Sequence, residues 1–120
     1  MASINRESVA RVQGGFYVPS SLWPLLHMRS FEAVTGPKVD RWLVKTVAGL
    51  LSVVGVSLLG AAGKHRVTPE LEAVGAGSAA VLATIDVVYV ARKRISPVYL
   101  LDAAAQMTIV ALWLRARSSE

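Results

Sequence analysis

Residues 46–63 read TVAGLLSVVGVSLLGAAG, eighteen positions without a charge. At ~1.5 Å per residue, a helix of that length covers most of a ~30 Å hydrocarbon core. Trp42-Leu43-Val44-Lys45 extends it toward an interface. Three further apolar runs lie around it, each with blemishes. Val12 to Met28 contains Gln13 and two prolines, Leu71 to Ala91 contains Glu72 and Asp86, and Pro97 to Leu114 contains Asp102 and Gln106. A lone span rarely tolerates such groups, whereas a helix in a bundle turns them toward its neighbours. The expectation is an all-α, polytopic integral membrane four-helix bundle. One transmembrane domain fills residues 1–120, with spans at about 12–28, 42–63, 71–91 and 97–114 and an interfacial segment at 29–41.

Composition agrees with that reading. Of 120 residues, 53% are hydrophobic and 18% charged, and the mean hydropathy is +0.48. Soluble domains carry roughly 25% charged residues, and a chain this rich in aliphatic side chains is not disordered. Without cysteine there is no disulfide scaffold and no thiolate metal centre; with only His27 and His65, no metal site is expected either. Gly75-Ala76-Gly77 has no strand before it, so it is not a dinucleotide fingerprint. The chain has no nucleophile elbow, no phosphate-binding loop and no HExxH, so no catalytic residue and no cofactor are expected.

The span boundaries are written in capping chemistry. Thr68-Pro69-Glu70 supplies an N-cap oxygen, a proline at the first helical position and an anion in the first turn. Ser96-Pro97 repeats the cap and proline for the last helix. Thr35-Gly36-Pro37 ends a short segment, 30–35, that reads as an interfacial turn, and the second span starts near Pro37 and Lys38. Trp23, Trp42 and Trp113 fall near span ends, where aromatic belts form. The first run lacks a basic start and a small-residue cleavage site, and therefore reads as a helix rather than a removed signal.

The net charge of +5 would suggest nucleic acid for a soluble protein. Here the cations border the spans, so the expected partner is the lipid bilayer of the inner (plasma) membrane, with no nucleic acid. With four spans, one side receives Arg6, Arg11, Lys64, Arg66, Arg115 and Arg117, six in all. The other receives Arg29, Lys38, Arg41, Lys45, Arg92, Lys93 and Arg94, seven in all. Orientation follows the difference between sides, and a difference of one decides nothing. Either the Arg92-Lys93-Arg94 turn makes its side cytoplasmic, or the chain inserts both ways and pairs as an antiparallel homodimer. A small homo-oligomer is expected.

Helical spacing shows where the polar groups point. Gln13, Tyr17, Ser20, Pro24 and His27 share one face of the first helix, and Lys45, Gly49, Ser52 and Val56 form a stripe on the second. Gly75, Ala79, Ala83 and Asp86 share a face of the third, with Tyr89 one turn on; Tyr99, Asp102, Gln106, Ile109 and Trp113 share one on the fourth. Asp86 lies six residues before Arg92 and Asp102 six after Ser96. Both carboxylates therefore sit about 9 Å inside the turn that joins their helices. The expected site is a polar cluster of Asp86, Asp102, Lys45, His27, Tyr89, Tyr99 and Gln106 in one half of the bundle, with Lys45 pairing one aspartate. The other half, with Ser57, Gly60, Ala61 and Ala111, reads as dry. Intramembrane ionisable groups mark sites by default. The leading expectation is binding or transport of an ion or a small, lipid-like ligand in a proton-linked way. A structural or accessory subunit of a membrane complex is the first alternative, and a lipid-modifying acid–base enzyme the second.

Two strings add a resemblance. Trp23-Pro24-Leu25-Leu26-His27-Met28-Arg29-Ser30-Phe31-Glu32, continuing through Thr35-Gly36-Pro37-Lys38 to Asp40-Arg41-Trp42-Leu43-Val44-Lys45, is one. Ile85-Asp86-Val87-Val88-Tyr89, followed by Arg94-Ile95-Ser96-Pro97-Val98-Tyr99-Leu100-Leu101-Asp102, is the other. The chain resembles a family of uncharacterised small bacterial four-span membrane proteins. The resemblance implies a bacterial integral membrane protein and transfers no activity. Reporter fusions at both termini and at Lys64 and Lys93 decide orientation: signals on both sides at each position support dual insertion, and strictly one-sided signals end it.

Overall fold

The first helix is opened by Asn5, whose side-chain oxygen accepts the Ser8 N–H at 2.8 Å. That bond satisfies one of the free donors of a helix start. Helix α1 then runs Arg6–Leu26 through two internal prolines, Pro19 and Pro24. It breaks at His27, whose φ of −149° and ψ of 77° leave the helical region. His27 is also the N-cap of α2, Met28–Thr35, and its Nδ1 accepts the Ser30 N–H at 3.3 Å. Trp23 folds over this corner. Its indole N–H donates to Ser30 Oγ at 2.8 Å, and its ring meets Phe31 edge-on at 5.4 Å. Three long helices follow: α3, Arg41–Gly63; α4, Pro69–Ala91; and α5, Tyr99–Ser118.

The computed structural model describes residues 5–36 and 40–118, which hold five helices and no strand. The all-α expectation holds, with a fifth, short helix where an interfacial turn was read over 30–35. The cause is His27, whose ring caps a new helix straight after the break. Helix α1 also starts at Arg6 rather than near residue 12, because Asn5 caps it and Glu7 sits in its first turn. The expected start of the second span at Pro37 and Lys38 lies outside the described residues. Helices α3 and α4 are each long and apolar enough to cross a membrane; α1 and α5, which carry Arg6, Glu7 and Arg11 and Asp102, Arg115 and Arg117, do not meet that measure.

The loops at the two ends of α4 share one design. Lys64-His65-Arg66 follows α3 and Arg92-Lys93-Arg94 follows α4, with His65 and Lys93 at positive φ, 54° and 59°. The Arg66 N–H donates to Ala61 O at 2.8 Å and the Arg94 N–H to Tyr89 O at 2.9 Å. Both are the back-reaching bonds that close a helix C-terminus through a left-handed residue. Thr68 and Ser96 then restart the chain, accepting the Leu71 N–H at 3.1 Å and the Val98 N–H at 3.3 Å.

Helix α1 is the centre of the assembly. It packs most extensively on α3 and also touches α2, α4 and α5, while α4 and α5 form a second close pair. Glycines set the α1–α3 distance: a Cβ on Gly14 would meet Gly55 O at 2.7 Å, and one on Gly55 would meet Val18 Cγ2 at 2.8 Å. Arg11 donates to Ala62 O at 3.3 Å, so the two helices run antiparallel. Small residues at such a crossing bring backbones together. The apolar core gathers Val9, Ala10, Leu58, Ala79, Ile109 and Trp113. Outside it, Trp42, Leu50, Val53, Val81, Leu101 and Leu114 are all exposed. A Gly55→Val replacement should cost roughly 1–3 kcal/mol by overpacking. Gly15→Ala, with nothing within 4 Å of the added carbon, should be neutral or stabilising by up to about 1 kcal/mol. Unfolding titrations in detergent check both.

Candidate functional site

Helix α4 buries Gly75, Ala79, Ala83 and Asp86, the stripe that its spacing predicts. Three small residues let its neighbours approach, and the fourth carries a carboxyl into the contact. Asp86 is 5% exposed, and its Oδ2 is buried with no donor aimed at it among the described residues. Its polar neighbour is Asp102, in the first turn of α5, whose carboxyl lies within hydrogen-bonding reach. Two ionised carboxylates offer only acceptors, so this contact is a hydrogen bond only when a proton lies between them.

Asp102 leads into a chain of amide and hydroxyl groups. Gln106, one turn on, donates Nε2–H to Asp102 Oδ1 at 3.2 Å. Its Oε1 accepts from the Tyr17 hydroxyl at 2.7 Å, which ties α5 to α1. One turn back along α1, Gln13 is fully buried. Its Nε2 donates to Gly75 O at 2.8 Å and its Oε1 accepts the Trp113 indole N–H at 2.7 Å. This side chain thus bonds α4 and α5 at once. Gly75 makes the room: a Cβ there would meet Gln13 Oε1 at 2.7 Å and Trp113 Cζ2 at 3.0 Å. Nearer the chain ends, Arg6 Nε pairs with Glu72 Oε1 at 2.7 Å.

Of the seven residues expected in one cluster, the structure joins Asp86, Asp102 and Gln106. Tyr99 sits one turn before Asp102, half-buried. The other three are elsewhere. Lys45 is exposed and forms no ion pair with either aspartate. The packed face of α3 is Ala48, Gly55, Leu58 and Ala62, roughly a quarter turn from the stripe that carries Lys45. Moreover, α3 lies chiefly against α1 and touches only α4 of the α4–α5 pair, slightly. His27 is exposed and spends its ring on capping α2. Tyr89 is exposed under the Arg92 guanidinium, 5.9 Å from the ring centre, a cation–π contact. On α1, Ser21 is buried in place of Ser20 and donates to Val18 O at 3.0 Å.

The half expected to be dry is not. Ser57, Gly60 and Ala111 are exposed, and the Gln13–Gly75–Trp113 knot occupies the interior there. Helical spacing places Gln13 on the polar face of its helix and Trp113 both on the stripe of Asp102 and Gln106 and near a span end. The missing signal was register: an antiparallel α4–α5 pair that matches Asp86 with Asp102 also brings Gly75 level with Trp113. A shallow apolar cleft of about 500 Å³ runs along the same pair, lined by Ala80, Thr84, Val87, Met107 and Ala111; neither aspartate lines it. Compared with protein-family models, with curated proteins and with solved structures, the chain matches none.

Gln13→Leu removes both bonds of the buried amide and leaves the Trp113 N–H without its acceptor. A loss of about 1–3 kcal/mol is expected for each polar group so orphaned. Pairing it with Trp113→Phe should recover part of that loss, because the unpaired donor is gone. A double-mutant cycle in unfolding free energy measures the coupling.

Proposed function

We propose that the chain is a multi-pass protein of the inner (plasma) membrane, with α1, α3, α4 and α5 as its four spans. Its Asp86/Asp102 pair binds an ion or a small, lipid-like ligand in a proton-linked way, as a binding protein or a carrier. The membrane part is supported by an inverted polarity. Asp86, Gln13, Gln106 and Ser21 are buried while large apolar side chains cover the outside. Leu101 is 73% exposed and Trp42 66%. In water so continuous an apolar surface is a liability, whereas against lipid tails it has no cost. Gln13 of α1 and Gln106 of α5 are turned inward, where bonds to neighbouring helices satisfy them.

One observation carries the functional part: a buried Asp86 carboxyl against a partly exposed Asp102, with no cation beside them among the described residues. Two acidic groups without a lysine or arginine leave room for a positive occupant. Matched cationic loops at the two ends of α4 remove any strong charge bias between ends, which supports a homodimer that includes antiparallel pairing. A second reading also has an observation in its favour. Gln13, Tyr17, Gln106 and Trp113 are all bonded to one another or to backbone, as a purely structural network in an accessory subunit would be.

Purified protein in liposomes separates the two. Replacing both aspartates, Asp86→Asn with Asp102→Asn, should abolish pH-dependent binding or flux while the variant stays folded in detergent. Flux that persists in that variant removes the site from the mechanism. Wild-type protein with no flux and no bound ligand, together with a lower melting temperature for the variant, would favour the accessory subunit.

A further inference from the structure

Resting on the binding reading above, we infer that the occupant of the carboxyl pair is a single proton, held on Asp86 and donated to an ionised Asp102, and not a metal cation. The argument is one of donors and acceptors. A sodium or calcium ion needs about six oxygen ligands. Around this pair the next polar group is Gln106, and it presents the wrong end. Its Nε2–H points at Asp102 Oδ1, while its oxygen is occupied by the Tyr17 hydroxyl. An N–H aimed at the site repels a cation and stabilises a carboxylate. The Tyr17 hydroxyl gives its hydrogen to Oε1, which leaves the Nε2–H for Asp102. No group of three or more acidic or histidine side chains that could hold a metal ion occurs among the described residues.

The same pattern decides which aspartate is ionised. Asp102 receives an amide N–H and is partly exposed, so its negative charge has both a donor and solvent nearby. Asp86 has neither: it is 5% exposed and its Oδ2 has no donor. A buried charge without partners is costly, whereas a neutral carboxyl there can donate its hydrogen to Asp102. The groups facing Asp86 from the packed elements are Asp102 on α5 and, beyond Gln106, Tyr17 on α1. On its own helix, Tyr89 and Arg92 are exposed; Lys45 and Arg41 on α3 are exposed, and Arg41 pairs with Glu32 at 2.6 Å. Among the described residues no cation neutralises the pair, which leaves one negative charge and one proton. Gln106 and Tyr17 are positioning residues: they touch the pair's geometry and not the proton.

Infrared difference spectroscopy of the full chain in lipid, titrated with pH, reads this directly. Wild type should show the C=O stretch of a protonated carboxyl that disappears at alkaline pH, with one proton released per chain. Sodium and calcium chloride should leave both unchanged. Asp86→Asn should remove the band at neutral pH and keep the wild-type acid-pH melting temperature at alkaline pH, because its amide N–H replaces the shared hydrogen. Asp86→Glu, which retains a titrating carboxyl, should keep a displaced band and serves if the asparagine variant fails to fold. Gln106→Leu should change the pH at which the proton leaves; an unchanged midpoint would deny Gln106 its positioning role. A band that survives in Asp86→Asn, or protons displaced by either metal, overturns the inference. Metal displacement with flux retained would spare the binding reading; a resident proton with no pH-linked flux or binding would leave this inference standing without it.

Discussion

The amide of Gln13 is the contact on which the arrangement of the long helices depends. Its N–H end holds the Gly75 carbonyl of α4 and its oxygen holds the Trp113 indole of α5. The side chain is fully buried, so each of these bonds replaces one that water would otherwise supply. Leaving either end unmet would cost more than an ordinary hydrogen bond contributes. That asymmetry makes register specific. A shift of one residue along α1 would strand an amide and an indole together, whereas apolar contacts alone would tolerate the slip. Gly75 is the reciprocal condition, because any side chain there would fill the space the amide needs.

With α1 set in register, the other polar groups follow. Tyr17 stands one turn beyond Gln13 and therefore meets Gln106, and Gln106 one turn from Asp102 meets its carboxylate. The bundle thus carries a polar line from the Arg6–Glu72 pair through Gln13 and Tyr17 to the two aspartates. The step from Arg6 to Gln13 is two helical turns, and those from Gln13 to Tyr17 and from Gln106 to Asp102 one each, so the line is a consequence of helix geometry applied to neighbouring helices. Only its last member, Asp86, lacks a donor. Among the described residues, the network along this line is satisfied everywhere except at that one buried carboxyl.

Much of this was legible in the chain. The apolar stretch 46–63 and the cap-and-proline starts at Thr68 and Ser96 located α3, α4 and α5 within a few residues. The stripe Gly75, Ala79, Ala83 and Asp86 was readable because one helix period acts on one strongly contrasted pattern. Three side chains were misplaced for a common reason. The expected depth of Lys45, His27 and Tyr89 is only one coordinate, and rotation about each helix axis is set by neighbours. Apolar and small residues surround α3 on every side, so its sequence does not single out the face that meets α1. Gly55 does so only because Gly14 lies opposite. His27 was read as the end of a span and became a cap because Pro24 and the break after Leu26 freed it to turn.

By itself the sequence determined the three long helices α3, α4 and α5, the starts at Thr68 and Ser96, and the matched positions of the two aspartates. These follow from properties that act along one chain: the 3.6-residue period, the φ of proline, the donors left open at a helix start. Tertiary structure alone decided which helices are neighbours, that Gln13 and Tyr17 of α1 bond the α4–α5 pair, and that a glutamine rather than a lysine stands beside Asp102. Those are contacts between segments tens of residues apart. They are selected by packing and by the cost of unmet polar groups, which exist only once the segments have come together.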